Sequence, residues 1–296
     1  MCNILVKSYL CRILQMGSVF LLHKEQRQEY RKRIKEIVWS PTNIQLRQIN
    51  RMTDKETIEY IIQNKCSIAR YGDGEIGYLL FDNFKHFFQP HNKLLQKKLK
   101  YILDNPIDSC VIGIPFWMAN KAKCDWDKCC HLNYFDRFWP LLKKKYKYAA
   151  ANCFGINSLN NGNLQLLKKI WEDRDILLIT GEKSTFIWDE RLFNNIKSVE
   201  FIYTKAVDAF SEYDKIIDSI ELVNTDKNKL ILISLGLTAT VLAYDLSIKG
   251  YQAIDIGHIT NYFLQFVGEM SNIEVLRNEG KFIDGVTDIN ILKGQK

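Results

Sequence analysis

The chain is predicted to be an α/β protein with a Rossmann-like, mostly parallel sheet and helices on both faces. Three observations predict this. From residue 53 onward, short apolar runs of strand length alternate with longer stretches of helical period. Glycine or proline marks many of the joins, at Gly72, Pro90, Pro106, Gly236 and Gly250. Finally, 296 residues with 47% hydrophobic and 25% charged side chains suffice for one large α/β domain or two small ones.

The elements follow in order. Thr53-Asp54-Lys55-Glu56 is a capping box and opens an amphipathic helix to Asn64. Cys66 to Tyr71 is a short buried strand stopped by Gly72. Pro90 precedes a helix over 93–103, which Asn105-Pro106 ends, and 109–115 is the next strand. Residues 131–146 carry a helical pattern despite Pro140, and 148–153 form a weaker strand. The second half is more regular: strands over 175–180, 199–203, 230–235 and 253–256, with helices over 211–223 and 238–248. Strands that alternate with helices in this way imply a parallel sheet, whose ligands sit outside the strands' carboxyl ends.

Composition narrows the function. The net charge is +7, with basic runs at Lys24 to Lys35 and Lys143 to Lys147. That surplus suits phosphate groups or an acidic membrane surface. Nucleic acid is not expected as a partner, because no zinc-finger spacing or aromatic RNA-binding motif accompanies the charge. The eight cysteines are scattered, with Cys66 and Cys110 inside buried strands as small hydrophobes. Cys124, Cys129, Cys130 and His131 cluster without the paired spacing of a zinc site, so free thiols in a reducing cytoplasm are expected. Residues 4–22 are apolar but broken by Lys7 and Arg12, unlike a secretory signal or a spanning helix. An interfacial amphipathic helix, or one packed on the protein's own surface, fits them equally well.

Four strand ends carry polar groups. After the first strand, Arg70 and Tyr71 lead into Gly72-Asp73-Gly74-Glu75, read as a glycine-flanked turn with two carboxylates one residue apart. Oxygen ligands of this kind suit Mg²⁺ or Mn²⁺ bridging a substrate's diphosphate. After Thr180, Gly181-Glu182-Lys183-Ser184-Thr185 offers a lysine, hydroxyls and the amides of a helix start for phosphate. It is no P-loop, since the upstream glycine is absent. After Leu235, Gly236-Leu237-Thr238-Ala239-Thr240 again opens a helix. After the last strand come Asp255 and Gly257-His258, with the histidine placed for acid, base or phosphate work. His86 and His91 flank a loop proline and carry no comparable argument. Phe84, Phe87, Phe88, Phe116 and Trp117 are either core or an acceptor platform.

These segments also resemble a known family. Ser67 to Glu75, Gly181-Glu182-Lys183-Ser184, Leu235 to Leu246 and Tyr251 to His258 are similar, in that order, to motifs of the GT-D glycosyltransferases. Two departures stand out: Leu237 replaces a frequent proline, and Ser184 to Trp188 lacks the usual arginine and glycines. The resemblance implies a GT-D type Rossmann-like fold over residues 50–270. It also implies a bacterial transferase that moves a sugar from a nucleotide-diphosphate donor, with a UDP-sugar favoured, to a glycan, glycoprotein or lipid-linked acceptor in surface-glycan assembly. Asp73 and Glu75 would bind Mn²⁺ or Mg²⁺ and the diphosphate. Arg70, Gly72, Gly74, Lys183, Gly236, Thr238 and Thr240 would bind the donor. His258 or Glu182 would serve as base.

Residues 1–49 are then a basic, amphipathic segment for peripheral contact at the inner face of the plasma membrane, and 271–296 a C-terminal extension. A haloacid-dehalogenase type phosphohydrolase would need a second aspartate at position 75, where glutamate stands. A dinucleotide oxidoreductase lacks its glycine fingerprint. A non-catalytic, membrane-tethered partner in glycan assembly is the remaining alternative.

Overall fold

The computed structural model describes residues 10, 13–20, 23–31, 33–34, 49–82, 84, 86, 88–115, 138–269, 282–283 and 286–287. The chain divides into two units, Met1–Asn50 with Phe116–Lys147, and Arg51–Pro115 with Tyr148–Lys296. Among the described residues of the smaller unit, Tyr30 donates to the Leu14 carbonyl at 3.1 Å, and Met16 and Phe20 are exposed. No helix among the described residues is long and apolar enough to cross a membrane. The cysteine and histidine cluster at 124–131 lies outside the described residues, as do Phe87, Phe116 and Trp117.

The larger unit is built on seven parallel strands: β1 (Ser67–Arg70), β2 (Cys110–Ile114), β3 (Ala149–Ala150), β4 (Asp175–Gly181), β5 (Ser198–Thr204), β6 (Leu230–Ser234) and β7 (Ala253–Asp255). Their order across the sheet is β3-β2-β1-β7-β6-β4-β5. The sheet is therefore all parallel, and the chain reverses direction across it between β1 and β7. Ile68 pairs with Ile254, and Ile233 with Asp255, which brings the carboxyl ends of β1, β7 and β6 side by side.

Helices flank the sheet as expected. The capping box forms at α1 (Asp54–Asn64): Thr53 Oγ1 accepts from the Glu56 amide at 3.2 Å, and Glu56 Oε2 accepts from the Thr53 amide at 2.7 Å. Helix α2 (Asp73–Leu80) packs against α3 (Lys93–Asp104). The short α4 (Ile156–Asn160), α5 (Leu164–Lys168) and α6 (Glu190–Phe193) follow, then α7 (Tyr213–Val223). Helix α8 (Leu237–Ile248) packs on β1 and β7 and buries every residue except Asp245 and Ile248, so it runs through the core. Helix α9 (Ile259–Phe266) leaves the end of β7.

Several expectations are corrected. Gly72 to Glu75 is not a free turn: Asp73 begins α2, because Ile76, Gly77 and Tyr78 pack inward and stabilise a helix despite two glycines. Gly181 to Thr185 is a turn with Lys183 at φ 54°, not a helix start. The 211–223 helix begins at Tyr213, after a 3₁₀ turn over Ala209–Glu212. The strand at 148–153 shrinks to Ala149–Ala150, and Trp139–Leu141, within the expected 131–146 helix, is 3₁₀. Cys66, Cys110 and Cys153 are buried free thiols, with burial pushing Cys66 and Cys153 up to about 12.

Candidate active site

The site lies where the sheet changes direction. In open parallel sheets this switch point leaves a crevice outside the strand ends, because neighbouring strands send their connections to opposite faces. Here β1 contributes Arg70 and the first turn of α2, and β7 contributes Asp255, Gly257 and His258.

Arg70 and Asp255 join the two strands. Arg70 Nη2 lies 2.9 Å from Asp255 Oδ1, and Nη1 donates to the Ala151 carbonyl at 2.9 Å. The guanidinium also lies 5.5 Å from the Phe154 ring centroid. Burial opposes its charge, but Asp255 more than offsets that and holds the arginine above its ordinary value. Asp255 Oδ1 also accepts from the Gly257 amide at 3.1 Å. Gly257 sits at φ 51°, and a Cβ there would meet Arg70 Nη2, so glycine is required on both conformational and steric grounds. Arg70 is thus committed to holding the crevice together.

Glu75 caps α2. Its Oε2 accepts from the Gly72 amide at 2.7 Å, the reciprocal half of a capping box whose N-cap has no side chain. Burial, then the nearby Asp255 carboxylate, pushes its pKa up to about 7. Asp73 is exposed at the first position of the same helix and makes no hydrogen bond or salt bridge among the described residues. Across the crevice, crowding by surrounding atoms and then the Arg70 charge hold His258 below its ordinary value, although the residue is open to solvent.

One participant had no sequence signal. His86 lies against Gly74: a Cβ built on that glycine would be 2.9 Å from His86 Nε2. Burial, assisted by His258, brings the His86 pKa down to about 4. Asp73 acts on both histidines in the opposite sense, which places all three groups within electrostatic reach.

The remaining expected residues divide. Gly236 at φ 53° opens α8 from the end of β6, with open space where a side chain would stand. Thr238 and Thr240 are fully buried: the Thr240 hydroxyl donates to the Arg70 carbonyl at 2.9 Å, and Thr238 to Gln89 Oε1 at 3.5 Å. Their side chains hold α8 in place and do not face the crevice. Glu182 and Lys183 are exposed at the end of β4, separated from β7 by β6.

Among the described residues, no three His, Cys, Asp or Glu side chains converge as a ready metal cage. The carboxylates present fit a different arrangement. Mg²⁺ and Mn²⁺ are commonly held by one or two carboxylates and completed by substrate phosphates. Asp73, unengaged, and the second oxygen of Glu75 suit that role.

The fold and site define a parallel α/β protein whose polar groups gather in a switch-point crevice between β1 and β7. A family model described as glycosyltransferase GT-D fold matches residues 68–278. The chain belongs to this family. It is 29% identical over 221 residues to Glycosyltransferase GlyD of Streptococcus pneumoniae serotype 4, covering 70% of this chain and 26% of that protein. Over 241 residues it is 25% identical to the Probable glycosyl transferase Gly of Streptococcus gordonii, covering 74% of this chain and 33% of that one. The chain thus spans only about a quarter to a third of the length of these curated relatives. Among solved structures, it matches domain of unknown function 1792, described as having a distinct glycosyltransferase fold. That match has a TM-score of 0.69 and 26% identity, over 86% of this chain and 92% of that one. It also matches a glycosyltransferase from Streptococcus sanguinis with a TM-score of 0.66 and 25% identity, over 76% and 87% of the two chains.

Proposed function

We propose that the chain transfers a sugar from a nucleotide-diphosphate donor, a UDP-sugar in the favoured case, to a glycan, glycoprotein or lipid-linked acceptor in bacterial surface-glycan assembly. Family membership supports the reaction class. The observation that carries the finer reading is Asp73: an unengaged carboxylate beside Glu75, at the switch point of a parallel sheet.

In this reading Asp73 and Glu75 hold Mn²⁺ or Mg²⁺, which supplies Lewis-acid stabilisation of the departing diphosphate. Arg70 and Asp255 fix the two strand ends so that these carboxylates and His258 keep their spacing. For direct displacement, the acceptor oxygen bonds to the anomeric carbon while the bond from that carbon to the diphosphate oxygen breaks. The bonding pair leaves with the diphosphate, and the hydroxyl proton passes to His258, whose lowered pKa keeps a nitrogen lone pair available at neutral pH. Glu182 and Lys183, on the β4 exit, are assigned to the outer part of the donor. Exposed Met16 and Phe20, with the basic run that follows, support peripheral contact with an acidic membrane surface. The use of nucleotide sugars and the buried free thiols favour a cytoplasmic setting.

The test is calorimetric titration with UDP, GDP, CDP and dTDP, in Mn²⁺ and in EDTA, on wild type and Asp73→Asn. The expected result is metal-dependent binding of one nucleotide, lost in the variant. A folded wild type that binds none would sink the catalytic reading and favour a non-catalytic partner in glycan assembly.

A further inference from the structure

We propose that Tyr203, at the carboxyl end of the edge strand β5, stacks its free ring face on a pyranose of the acceptor oligosaccharide, at a sugar remote from the hydroxyl that reacts. This rests on the glycan acceptor of the reading above and says where part of it binds.

Strand β5 closes one side of the sheet and pairs only with β4. Phe201 and Tyr203 stand two residues apart on it, so both point to the same face. Their rings are parallel within 5°, with centroids 5.6 Å apart, the spacing of an offset stack. Phe201 therefore covers the face of Tyr203 turned towards the start of the strand. The opposite face is turned towards the carboxyl edge of the sheet, and Tyr203 is 57% exposed. Its hydroxyl has no hydrogen-bond partner among the described residues.

The stack is rooted in the core. Trp188 meets Phe201 edge-on at 5.6 Å and lies flat on the fully buried Phe193 at 4.3 Å. Its indole N–H donates to Glu190 Oε1 at 2.7 Å. A ring held this way loses little freedom when a ligand settles on it. Register also ties Tyr203 to the candidate site. It pairs with Thr180, Thr180 pairs with Ser234, and the Ser234 hydroxyl donates at 2.9 Å to the Gly257 carbonyl, next to His258. From β5 through β4 and β6 to β7 is three strand spacings, about 14 Å. That is too far for the reacting sugar and suits one further along the same oligosaccharide. Size argues for a sugar over a protein. With Phe201 36% and Tyr203 57% exposed, the two rings offer about 200 Å², against about 800 Å² per partner in a stable protein interface. A pyranose presents C–H bonds on its ring face and hydroxyls at its rim, which complements an apolar ring face with a free hydroxyl.

Ligand-observed NMR on wild type, Tyr203→Thr and Tyr203→Trp, without nucleotide, tests this. The probes are glucose, galactose and N-acetylglucosamine and their tetrasaccharides. Threonine suits an exposed strand position and removes the ring, while tryptophan keeps one. Tyr203→Lys is a second ringless variant should Tyr203→Thr misfold. Wild type should bind at least one tetrasaccharide more tightly than its monosaccharide, with saturation strongest on ring C–H protons. Losing the buried ring face should weaken that binding about tenfold in Tyr203→Thr, and Tyr203→Trp should retain it. Binding of no tetrasaccharide, or unchanged binding by the ringless variants, overturns the proposal. So does loss of nucleotide affinity in place of oligosaccharide affinity, which would give the ring to the donor's base. A wild-type dimer that Tyr203→Thr dissolves in sedimentation would make the strip a contact between copies and overturn it too. Wild type that binds no nucleotide, yet binds a tetrasaccharide through Tyr203, sinks the donor reading and leaves this one standing.

Discussion

Replacing Glu75 with glutamine separates two roles of one carboxyl group. In the folded chain it keeps its proton up to about pH 7, against an ordinary 4.5, because surrounding protein atoms and then the Asp255 carboxylate disfavour its charge. Between those values the folded state binds more protons than the unfolded chain, so this group makes stability fall as pH rises. The gap from 4.5 to about 7, at about 1.4 kcal/mol per pH unit, sets a ceiling of roughly 3 kcal/mol. The residue is only partly shielded, and water reduces the effect to about 1–2 kcal/mol. Against this, glutamine is a weaker acceptor for the Gly72 amide, a loss of about 0.5–1 kcal/mol. The variant should therefore be about 1 kcal/mol more stable than wild type at pH 8, and equal or slightly less stable at pH 5. Urea unfolding in EDTA at both pH values measures this through the midpoint, with unchanged slope. The same variant should lose metal-dependent nucleotide binding. A destabilisation that is equal at pH 5 and pH 8 would refute the reasoning, since Glu75 would then be an ordinary cap with an ordinary pKa.

Asp255→Asn should destabilise by about 3 kcal/mol, because it leaves the Arg70 guanidinium without its buried counter-ion; the Ala151 carbonyl keeps the loss from being larger. Denaturant unfolding checks this, and a loss below about 1 kcal/mol would show that Arg70 relaxes to solvent. Thr240→Val should cost about 1–2 kcal/mol through the unsatisfied Arg70 carbonyl, while nucleotide affinity stays within about twofold. A selective loss of nucleotide binding in that variant, with stability intact, would return Thr240 to the donor site.

The alternation of strands and helices was legible because it depends on local period and on punctuation by glycine and proline. The rule placing ligands at strand ends points to Asp73, Glu75 and His258 from the sequence alone. What escaped was set by distant contacts. Arg70 and Asp255 are 185 residues apart, so nothing local shows that the arginine is paired away. Thr238 and Thr240 look like a polar helix start, yet α8 is a core helix whose hydroxyls are satisfied internally. Helix α2 was missed because glycine is a poor helix former, and here inward packing outweighs that propensity. His86 carries no local signal, because its loop is held by distant bonds to Asp208, Phe210 and Thr238.

The charge balance of the crevice constrains the order of events under the proposed function. Three carboxylates, Asp73, Glu75 and Asp255, are near one guanidinium, and that guanidinium is already paired. Both histidines are held below their ordinary values and add no positive charge at neutral pH. A diphosphate approaching this crevice alone meets net negative potential, and like charges at this range disfavour binding. The carboxylates are therefore an obstacle to the donor unless a cation lies between them and the phosphates. Glu75, half-protonated near neutrality, can release its proton when that cation arrives, which makes cation binding more favourable as pH rises through about 7. On this argument EDTA should abolish nucleotide binding outright. An aspartate-to-asparagine change at position 73 should be far less forgiving than loss of an outlying lysine such as Lys183, which contributes attraction but removes no repulsion.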